Sequence, residues 1–279
     1  MWSNFHTHSN YCDGKGTFQQ YLAKQAVSSI GFSSHAPVPF QCKWCMKSDD
    51  LPQYLSEINT LKKTAGSTEV YAGLEIDYIP GKISPLDFAP QLDYTIGSIH
   101  FVEAFPDGTP WEIDGQHTLF MEGLNQIFQS DIKAAITCYF ELTRLMVQNA
   151  QPTIVGHLDK IKIQNIDNKF YHETDQWYQH EVLKTLKAIK STNAIIEVNT
   201  RGLYQKKSNT TYPSPWILQH ILELNIPITL SSDAHHPDDI INQFPESAAQ
   251  LQAIGFKTVS VLKEGKWQQL NFNETGITF

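Results

Sequence analysis

The sequence predicts a single α/β domain in which parallel strands alternate with helices and close into a barrel. Short apolar segments alternate with longer amphipathic ones along nearly all of the 279 residues, a pattern typical of β-α-β units. About seven or eight such units favour a closed barrel over an open sheet. A third observation is that polar residues follow most of the apolar segments, at the ends where barrels build their active sites.

The individual elements follow from this alternation. The predicted strands are the apolar segments 3–6, 31–34, 69–76, 93–100, 153–157, 194–199, 227–232 and 258–262. The predicted helices are 17–29, 51–63, 117–149, 174–191, 214–224 and 246–253. Residues 263–272, with a turn at Gly265, are predicted as a closing strand. We expect roughly the last eight residues of this single domain, residues 1–279, to form a flexible tail.

Composition excludes several classes of function. A formal charge of -8 argues against a broad nucleic-acid or anionic-membrane surface, although a local basic pocket could bind one phosphate. No apolar run is long enough for a transmembrane helix, and the amino terminus lacks the features of a signal peptide. We therefore expect a cytoplasmic protein with a small-molecule substrate, and no nucleic-acid or membrane partner.

Histidines concentrate at the carboxyl ends of the predicted strands. Six of the eleven lie there, namely His6, His8, His35, His100, His157 and His235. Glu75 lies at the end of a further strand, and Asp233 follows the same strand as His235. A single buried histidine is more often a satisfied core group than a ligand, but several buried imidazoles and carboxylates together need compensation. Divalent zinc, iron or manganese would supply it.

Cys42 and Cys45 form a C-x-x-C pattern, which is half of a zinc site or a redox pair in some proteins. No second C-x-x-C accompanies it, and Phe40 and Trp44 beside it are typical of loop packing. We expect all four cysteines of the chain to be free thiols.

The strand-end segments that carry the histidines and acids together resemble the polymerase-and-histidinol-phosphatase (PHP) family of metal-dependent phosphoesterases, and within it the histidinol-phosphate phosphatases. The resemblance extends from His6 to His235 and includes the stretches Ser34-His35-Ala36-Pro37, Gly73-Leu74-Glu75-Ile76-Asp77-Tyr78, Gly97-Ser98-Ile99-His100-Phe101, Gly156-His157-Leu158-Asp159 and Glu197-Val198-Asn199-Thr200. It implies a distorted (β/α)7 TIM-like barrel that holds two or three divalent metal ions.

The resemblance also implies which residues bind each ion. The first would be held by His6, His8, Glu75 and Asp233, the second by Glu75, His100 and His157, and the third by Asp13, His35 and His235. Asp13 stands where many members of the family carry histidine.

A mechanism follows from that ligand set. A hydroxide bridging the first two metals, held by Glu75 and Asp233, would attack the phosphorus of a monoester such as L-histidinol phosphate. Arg201 is the best candidate for binding the phosphate, because its planar guanidinium suits phosphate oxygens, and Lys160 and Lys162 are further candidates. The leaving group would be protonated by His236, Asp159 or a metal-bound water.

Three other functions remain open at this point. The chain could hydrolyse another small phosphate or a nucleotide, or it could bind metal without turnover. It could also be an amidohydrolase-type barrel, whose members likewise begin with His-x-His, but no lysine on a middle strand is available to bridge two metals.

Overall fold

The computed structural model describes residues 1–278 as an α/β fold. Its strands are β1 (Trp2–Asn4), β2 (Val27–Phe32), β3 (Glu69–Ala72), β4 (Glu75–Asp77), β5 (Ile96–Ser98), β6 (Phe101–Ala104), β7 (Pro110–Glu112), β8 (Ile154–Val155), β9 (Ile195–Asn199), β10 (Ile228–Ser231), β11 (Thr258–Lys263), β12 (Lys266–Asn273) and β13 (Gly276–Thr278). Its α-helices are α1 (Phe18–Leu22), α2 (Leu51–Thr64), α3 (His117–Phe128), α4 (Ile132–Asn149), α5 (Gln176–Lys190), α6 (Arg201–Tyr204), α7 (Pro215–Glu223) and α8 (Phe244–Ile254).

Two parallel sheets form the centre of the fold. One has the order β1-β2-β3, and the other has the order β10-β9-β8-β5-β4. Every residue of β9 is buried, as is every residue of β10. Such continuous burial is typical of parallel strands that are covered on both faces. No helix among residues 1–278 has the length and apolar character needed to cross a membrane.

Isolated parallel bridges connect the ends of these two sheets. Thr7, just beyond β1, pairs with Ala234, just beyond β10. His35, just beyond β2, pairs with Glu75 at the start of β4. The carboxyl ends of strands from both sheets therefore lie next to one another, and the polar residues that follow them meet in space.

Two predicted helices differ from the structure. The helix predicted at 17–29 ends at Leu22, because β-branched Val27 and Ile30 instead belong to the buried strand β2. The helix predicted at 117–149 is interrupted by Gln129 and Ser130, whose φ angles are 52° and 65°. A new helix starts after this turn, where the Asp131 carboxylate accepts a hydrogen bond from the Ala134 amide at 3.0 Å.

The antiparallel hairpin of β6 and β7 was not predicted from the sequence. It begins directly after His100, and the Ile113 amide donates to the His100 carbonyl at 2.9 Å. Its Trp111 is buried against Gly123 of α3, where a Cβ atom would lie only 2.1 Å from the indole. The hairpin is thus fixed both to the end of β5 and to a helix.

The carboxyl-terminal segment forms an antiparallel sheet of the order β11-β12-β13. The predicted closing strand is β12, but it pairs with β11 and β13 and not with a parallel strand. Within the segment expected to be a flexible tail, Gly276–Thr278 pairs with β12 and the Ile277 amide donates to the Met1 carbonyl. Phe279 lies outside the described residues.

Candidate metal centre

His6 and His8 follow β1 and point their Nε2 atoms at the same two carboxylates. His6 Nε2 lies 3.1 Å from Glu75 Oε2 and 3.7 Å from Asp233 Oδ1. His8 Nε2 lies 3.4 Å and 3.2 Å from those same oxygen atoms. All four side chains are buried. Residues separated by more than two hundred positions in the chain therefore converge on one point, where a cation could take all four as ligands.

The other carboxylate oxygen of Glu75, Oε1, faces a second pair of histidines. His157 Nε2 lies 2.7 Å from Glu75 Oε1, and His100 Nε2 lies 3.6 Å from it. Ser98 also donates its hydroxyl to Oε1 at 2.7 Å. The two oxygens of Glu75 thus face two separate groups of imidazoles, the arrangement that a carboxylate bridging two cations requires.

A third group surrounds Asp13 at the outer edge of the centre. His235 Nε2 lies 3.2 Å from Asp13 Oδ2, and His35 Nε2 lies 3.9 Å from Oδ1. His8 belongs to this group as well as to the first, and His35 also groups with Glu75 and His100. The ligand atoms lie within 4.8 Å of one another in each of three sets: His8, Asp13, His35 and His235; His6, His8 and Asp233; and His35, Glu75 and His100.

Six ligand atoms of this centre lack hydrogen-bond partners. Buried polar atoms without a partner include His6 Nε2, His8 Nε2, Asp13 Oδ1, His35 Nδ1, Glu75 Oε2 and Asp233 Oδ1. Leaving such atoms unpaired is expensive in free energy. Imidazole nitrogens and carboxylate oxygens are suitable ligands for zinc, iron and manganese. The residues present therefore fit a group of divalent cations.

The carboxylates of the centre are held in their charged form. Burial opposes the ionisation of Glu75, but the charges of His6, His35 and His100 outweigh it, so the pKa of Glu75 lies well below its usual range. Burial is likewise outweighed at Asp233, where His6 and Arg201 hold the pKa well below normal. Buried carboxylates that stay ionised favour the binding of cations.

Two further carboxylates orient the imidazoles of His6 and His100 by contacting their Nδ1 atoms. Glu197 contacts His6 Nδ1 at 2.5 Å, and Asp77 contacts His100 Nδ1 at 3.1 Å. With Nδ1–H donating to a carboxylate, Nε2 is left free to bind a metal. Neither acid was predicted to have a role from the sequence. Asp77 could have been found, because it lies two positions after Glu75 and therefore on the same face of the strand.

The predicted phosphate-binding cations lie in different surroundings. Arg201 and Lys160 both line a cavity of about 170 Å³ above the centre. Arg201 Nη1 donates to the Asp233 carbonyl at 2.8 Å, and Lys160 Nζ lies 3.3 Å from His100 Nε2. Lys207, which the sequence analysis did not single out, lines the same cavity.

Lys162 is directed away from that cavity. Its ammonium is buried and donates to Asp159 at 2.8 Å, to the Thr211 carbonyl at 2.9 Å and to Ser214 at 2.6 Å. The donors of Lys162 are thus used within the fold, and Asp159 is fully buried in the same network. Neither residue lines the cavity above the centre.

His236 lies on the outside of the molecule. Its side chain is 53% exposed, and its Nδ1 accepts a hydrogen bond from the Asp238 amide at 3.2 Å. It does not line the cavity, whereas the adjacent His235 does. The structure therefore separates His236 and Asp159, two predicted candidates for the leaving-group acid, from the converging ligands.

The loop after His35 forms one wall of the cavity. Trp44 lines it, and its ring centroid lies 4.5 Å from that of His35 and 5.3 Å from that of His100. Cys42 and Cys45 on either side are joined in a disulfide, so the prediction of free thiols is wrong for this pair. Their Cα atoms are 5.5 Å apart, a separation that a disulfide can span. Cys12 and Cys138 are free.

Comparison with known proteins agrees with this geometry. The model of the PHP domain matches residues 4–201. The "Probable histidinol-phosphatase" of Deinococcus radiodurans is 27% identical over 91% of this chain and 94% of its own length. A protein of the same name from Schizosaccharomyces pombe is 24% identical over 88% of this chain and 83% of its own length.

Two solved structures share the fold. The first, assigned as histidinol phosphatase HisK of Listeria monocytogenes, has a TM-score of 0.74 at 22% identity and covers 88% of this chain and 99% of that one. The second, histidinol phosphate phosphatase of Lactococcus lactis in complex with zinc, L-histidinol and phosphate, has a TM-score of 0.67 at 20% identity and covers 100% of this chain and 99% of that one. With the domain match spanning most of the sequence, the chain belongs to the PHP family.

Proposed function

We propose that this protein is a metal-dependent phosphoric monoester hydrolase whose substrate is L-histidinol phosphate, an intermediate of histidine biosynthesis. One observation carries the proposal. Imidazoles and carboxylates with unpaired ligand atoms converge on Glu75, and several of them line a cavity together with Arg201 and Lys160. The names of the two curated relatives, and the zinc, L-histidinol and phosphate in the Lactococcus lactis structure, support this substrate.

The residues would hold up to three cations of zinc, iron or manganese. His6, His8, Glu75 and Asp233 would bind the first, with Glu75 shared with a second at His100 and His157, and Asp13, His35 and His235 would bind the third. Such ions activate water and neutralise phosphoryl oxygens when they are bound. Glu75 and Asp233 are ionised in the folded protein, so the charge that attracts the cations is already in place.

The protein's own cations would bind and orient the phosphate. Burial disfavours the charge on Arg201, but Asp233 outweighs it and raises the pKa of Arg201. Lys160 behaves in the same way, because Asp114 and Asp233 raise its pKa despite burial. Both side chains therefore remain positively charged in the cavity, and the planar guanidinium of Arg201 can contact two phosphate oxygens at once.

We further infer that residues 1–279 form one domain whose two parallel sheets close into the distorted seven-stranded barrel of the PHP fold, with β3 and β4 as one interrupted strand. Support comes from the bridges between Thr7 and Ala234 and between His35 and Glu75, which connect the two sheets at both junctions. The His8 amide also donates to the Ala234 carbonyl at 2.8 Å. Closure would place every candidate ligand on one rim.

Steady-state kinetics on L-histidinol phosphate, with metal analysis of the same sample, would test the proposal. We expect release of inorganic phosphate that depends on bound zinc, iron or manganese. A panel of other phosphate monoesters and nucleotides should be hydrolysed less efficiently. Higher kcat/KM with a nucleotide would indicate a different substrate. Absence of turnover with any ester, including p-nitrophenyl phosphate, in fully metallated protein would indicate a metal-binding protein instead.

A further inference from the structure

The β6–β7 hairpin brings acidic side chains to the cavity that contains the candidate metal centre. Glu112 pairs with Phe101 across the hairpin, and Phe101 directly follows His100. The hydrogen bond between Ile113 and the His100 carbonyl fixes the register of the hairpin against β5. As a result, Glu112 and Asp114 both line the cavity, on the side of His100.

Glu112 differs from the other acids of this cavity in its partners. Asp114 forms an ion pair with Lys160 at 2.9 Å, and Asp13 and Asp233 face imidazoles of the candidate metal centre. Among residues 1–278, Glu112 forms no ion pair. Burial and then the charge of Asp114 raise the pKa of Glu112. An additional cation at this position would therefore stabilise the Glu112 carboxylate.

Aromatic rings adjoin Glu112 in the same wall. Trp44 stacks on Phe101 with ring centroids 5.5 Å apart and an interplanar angle of 6°. Trp44 and Glu112 both line the cavity. A carboxylate beside an indole is well suited to an organic ammonium group, which gains both a charge-assisted hydrogen bond and contact with the aromatic ring.

The cavity carries both signs of charge. Arg201 and Lys207 line it together with Glu112 and Trp44, while Lys160 is paired with Asp114. A substrate that carries a phosphate ester and an amine a few bonds apart would match both charges at once. L-histidinol phosphate is such a molecule.

We propose that Glu112 is a specificity-determining residue that binds the ammonium group of an amino-alcohol phosphate substrate. This inference rests on the proposed phosphatase function and extends it from the phosphate to the organic part of the substrate. Asp114 is the weaker candidate for this role, because Lys160 already neutralises it.

The test compares Glu112→Gln with the wild type on two substrates, L-histidinol phosphate and p-nitrophenyl phosphate, which lacks an amine. A charge-assisted hydrogen bond contributes about 1.5–3 kcal/mol, so we expect KM for L-histidinol phosphate to rise about 10- to 100-fold. KM for p-nitrophenyl phosphate should change by less than about threefold, within the range of a neutral surface change. Glu103→Gln, an exposed acid of the same hairpin, is the matched control.

A binding measurement separates this inference from the proposed function. Calorimetry with metallated protein should show that Glu112→Gln weakens the binding of L-histidinol, while inorganic phosphate binds as it does to the wild type. Equal affinity for L-histidinol in both proteins, or an equal rise in KM for both esters, would overturn the role of Glu112. Loss of all turnover in the wild type together with retained, Glu112-dependent binding of L-histidinol would overturn only the phosphatase function.

Discussion

Glu197 holds the His6 imidazole from behind, with its Oε1 2.5 Å from Nδ1 and both side chains fully buried. The other oxygen of Glu197 accepts the amide hydrogen of His157 at 2.8 Å and a hydrogen bond from Asn199 at 3.1 Å. One carboxylate thus orients the side chain of His6, which follows β1, and also fixes the backbone at His157, which follows β8. The rigidity of the metal centre therefore depends on a residue that would not itself contact a metal.

Glu197→Gln should weaken metal binding while preserving the fold. Glutamine keeps an acceptor of the same shape but lacks the charge that fixes the Nδ1–H tautomer, and loss of such an orienting group reduces metal affinity by about 10- to 100-fold. Competition with a chelator, read out as bound metal per chain, measures the effect. Glu223→Gln is the matched control, because Glu223 contacts His220 Nδ1 at 2.9 Å on the exposed surface. Unchanged metal affinity in Glu197→Gln would contradict an orienting role.

Arg201→Ala should raise KM for the phosphate ester without releasing metal. Loss of one charge-assisted contact to the phosphate corresponds to about 1.5–3 kcal/mol, or roughly a 10- to 100-fold rise in KM. Lys206→Ala, which removes an exposed cation from the same segment, is the control. Because Arg201 also contacts the Asp233 carbonyl and His235, the metal content of the variant must be measured. Loss of metal would indicate that Arg201 stabilises the metal centre instead of binding the phosphate.

Lys162→Met should destabilise the protein with little effect on KM. The substitution leaves the fully buried Asp159 carboxylate without its partner, and breaking a buried ion pair costs about 3–5 kcal/mol. Urea denaturation of the metallated variant and of Lys206→Met would measure the difference in the free energy of unfolding. A rise in KM for the phosphate with unchanged stability would instead support the phosphate-binding role that the sequence suggested.

Gly123→Ala should loosen the β6–β7 hairpin. The new methyl group would lie about 2.1 Å from the Trp111 indole, so either the ring or the helix must move. Overpacking of this kind costs about 1–3 kcal/mol. This exceeds the stabilisation that alanine gives over glycine inside a helix. We expect a lower midpoint of urea unfolding and a higher KM for L-histidinol phosphate, because the hairpin carries Glu112. An unchanged midpoint would mean that the contact adapts without strain.

Most of the metal-ligand candidates could be predicted from the sequence because they lie at the ends of apolar segments, and parallel strands bring such ends together, whereas Asp13 was implied only by the family resemblance. His100 and His157 are examples, since nothing local connects them across 56 intervening positions. The directions in which side chains point were harder to predict. Lys160 and Lys162 look equivalent in the sequence, but the segment Lys160–Gln164 is a 3₁₀-helix. Two residues in that helix span about two thirds of a turn, so their side chains point in different directions.

The roles of Glu197 and Glu112 depended on pairings that no local pattern reveals. Glu197 reads as one more residue of a buried strand, and its partner His6 lies 191 positions away. The hairpin that carries Glu112 is built from strands of only three and four residues, which are too short for a period-two pattern to stand out. Tertiary contacts, including those of Trp111 with α3, stabilise it.

Removal of the metals should lower the thermal stability of the protein. Without cations, the charge on the carboxylates of Glu75 and Asp233 is compensated by neighbouring imidazoles and, at Asp233, by Arg201, and several buried polar atoms have no partner. Ligands present at about 1,000 times their dissociation constant stabilise the folded state by about 4 kcal/mol, which corresponds to roughly 5–15 °C in Tm for a chain of this size. Differential scanning calorimetry before and after dialysis against a chelator measures the shift, and addition of zinc or manganese should reverse it. The variant Glu75→Gln should show a smaller shift than the wild type, because it would lose the carboxylate that faces both groups of imidazoles. Equal Tm values for the metal-free and metal-loaded wild type would contradict the assignment of these residues as ligands.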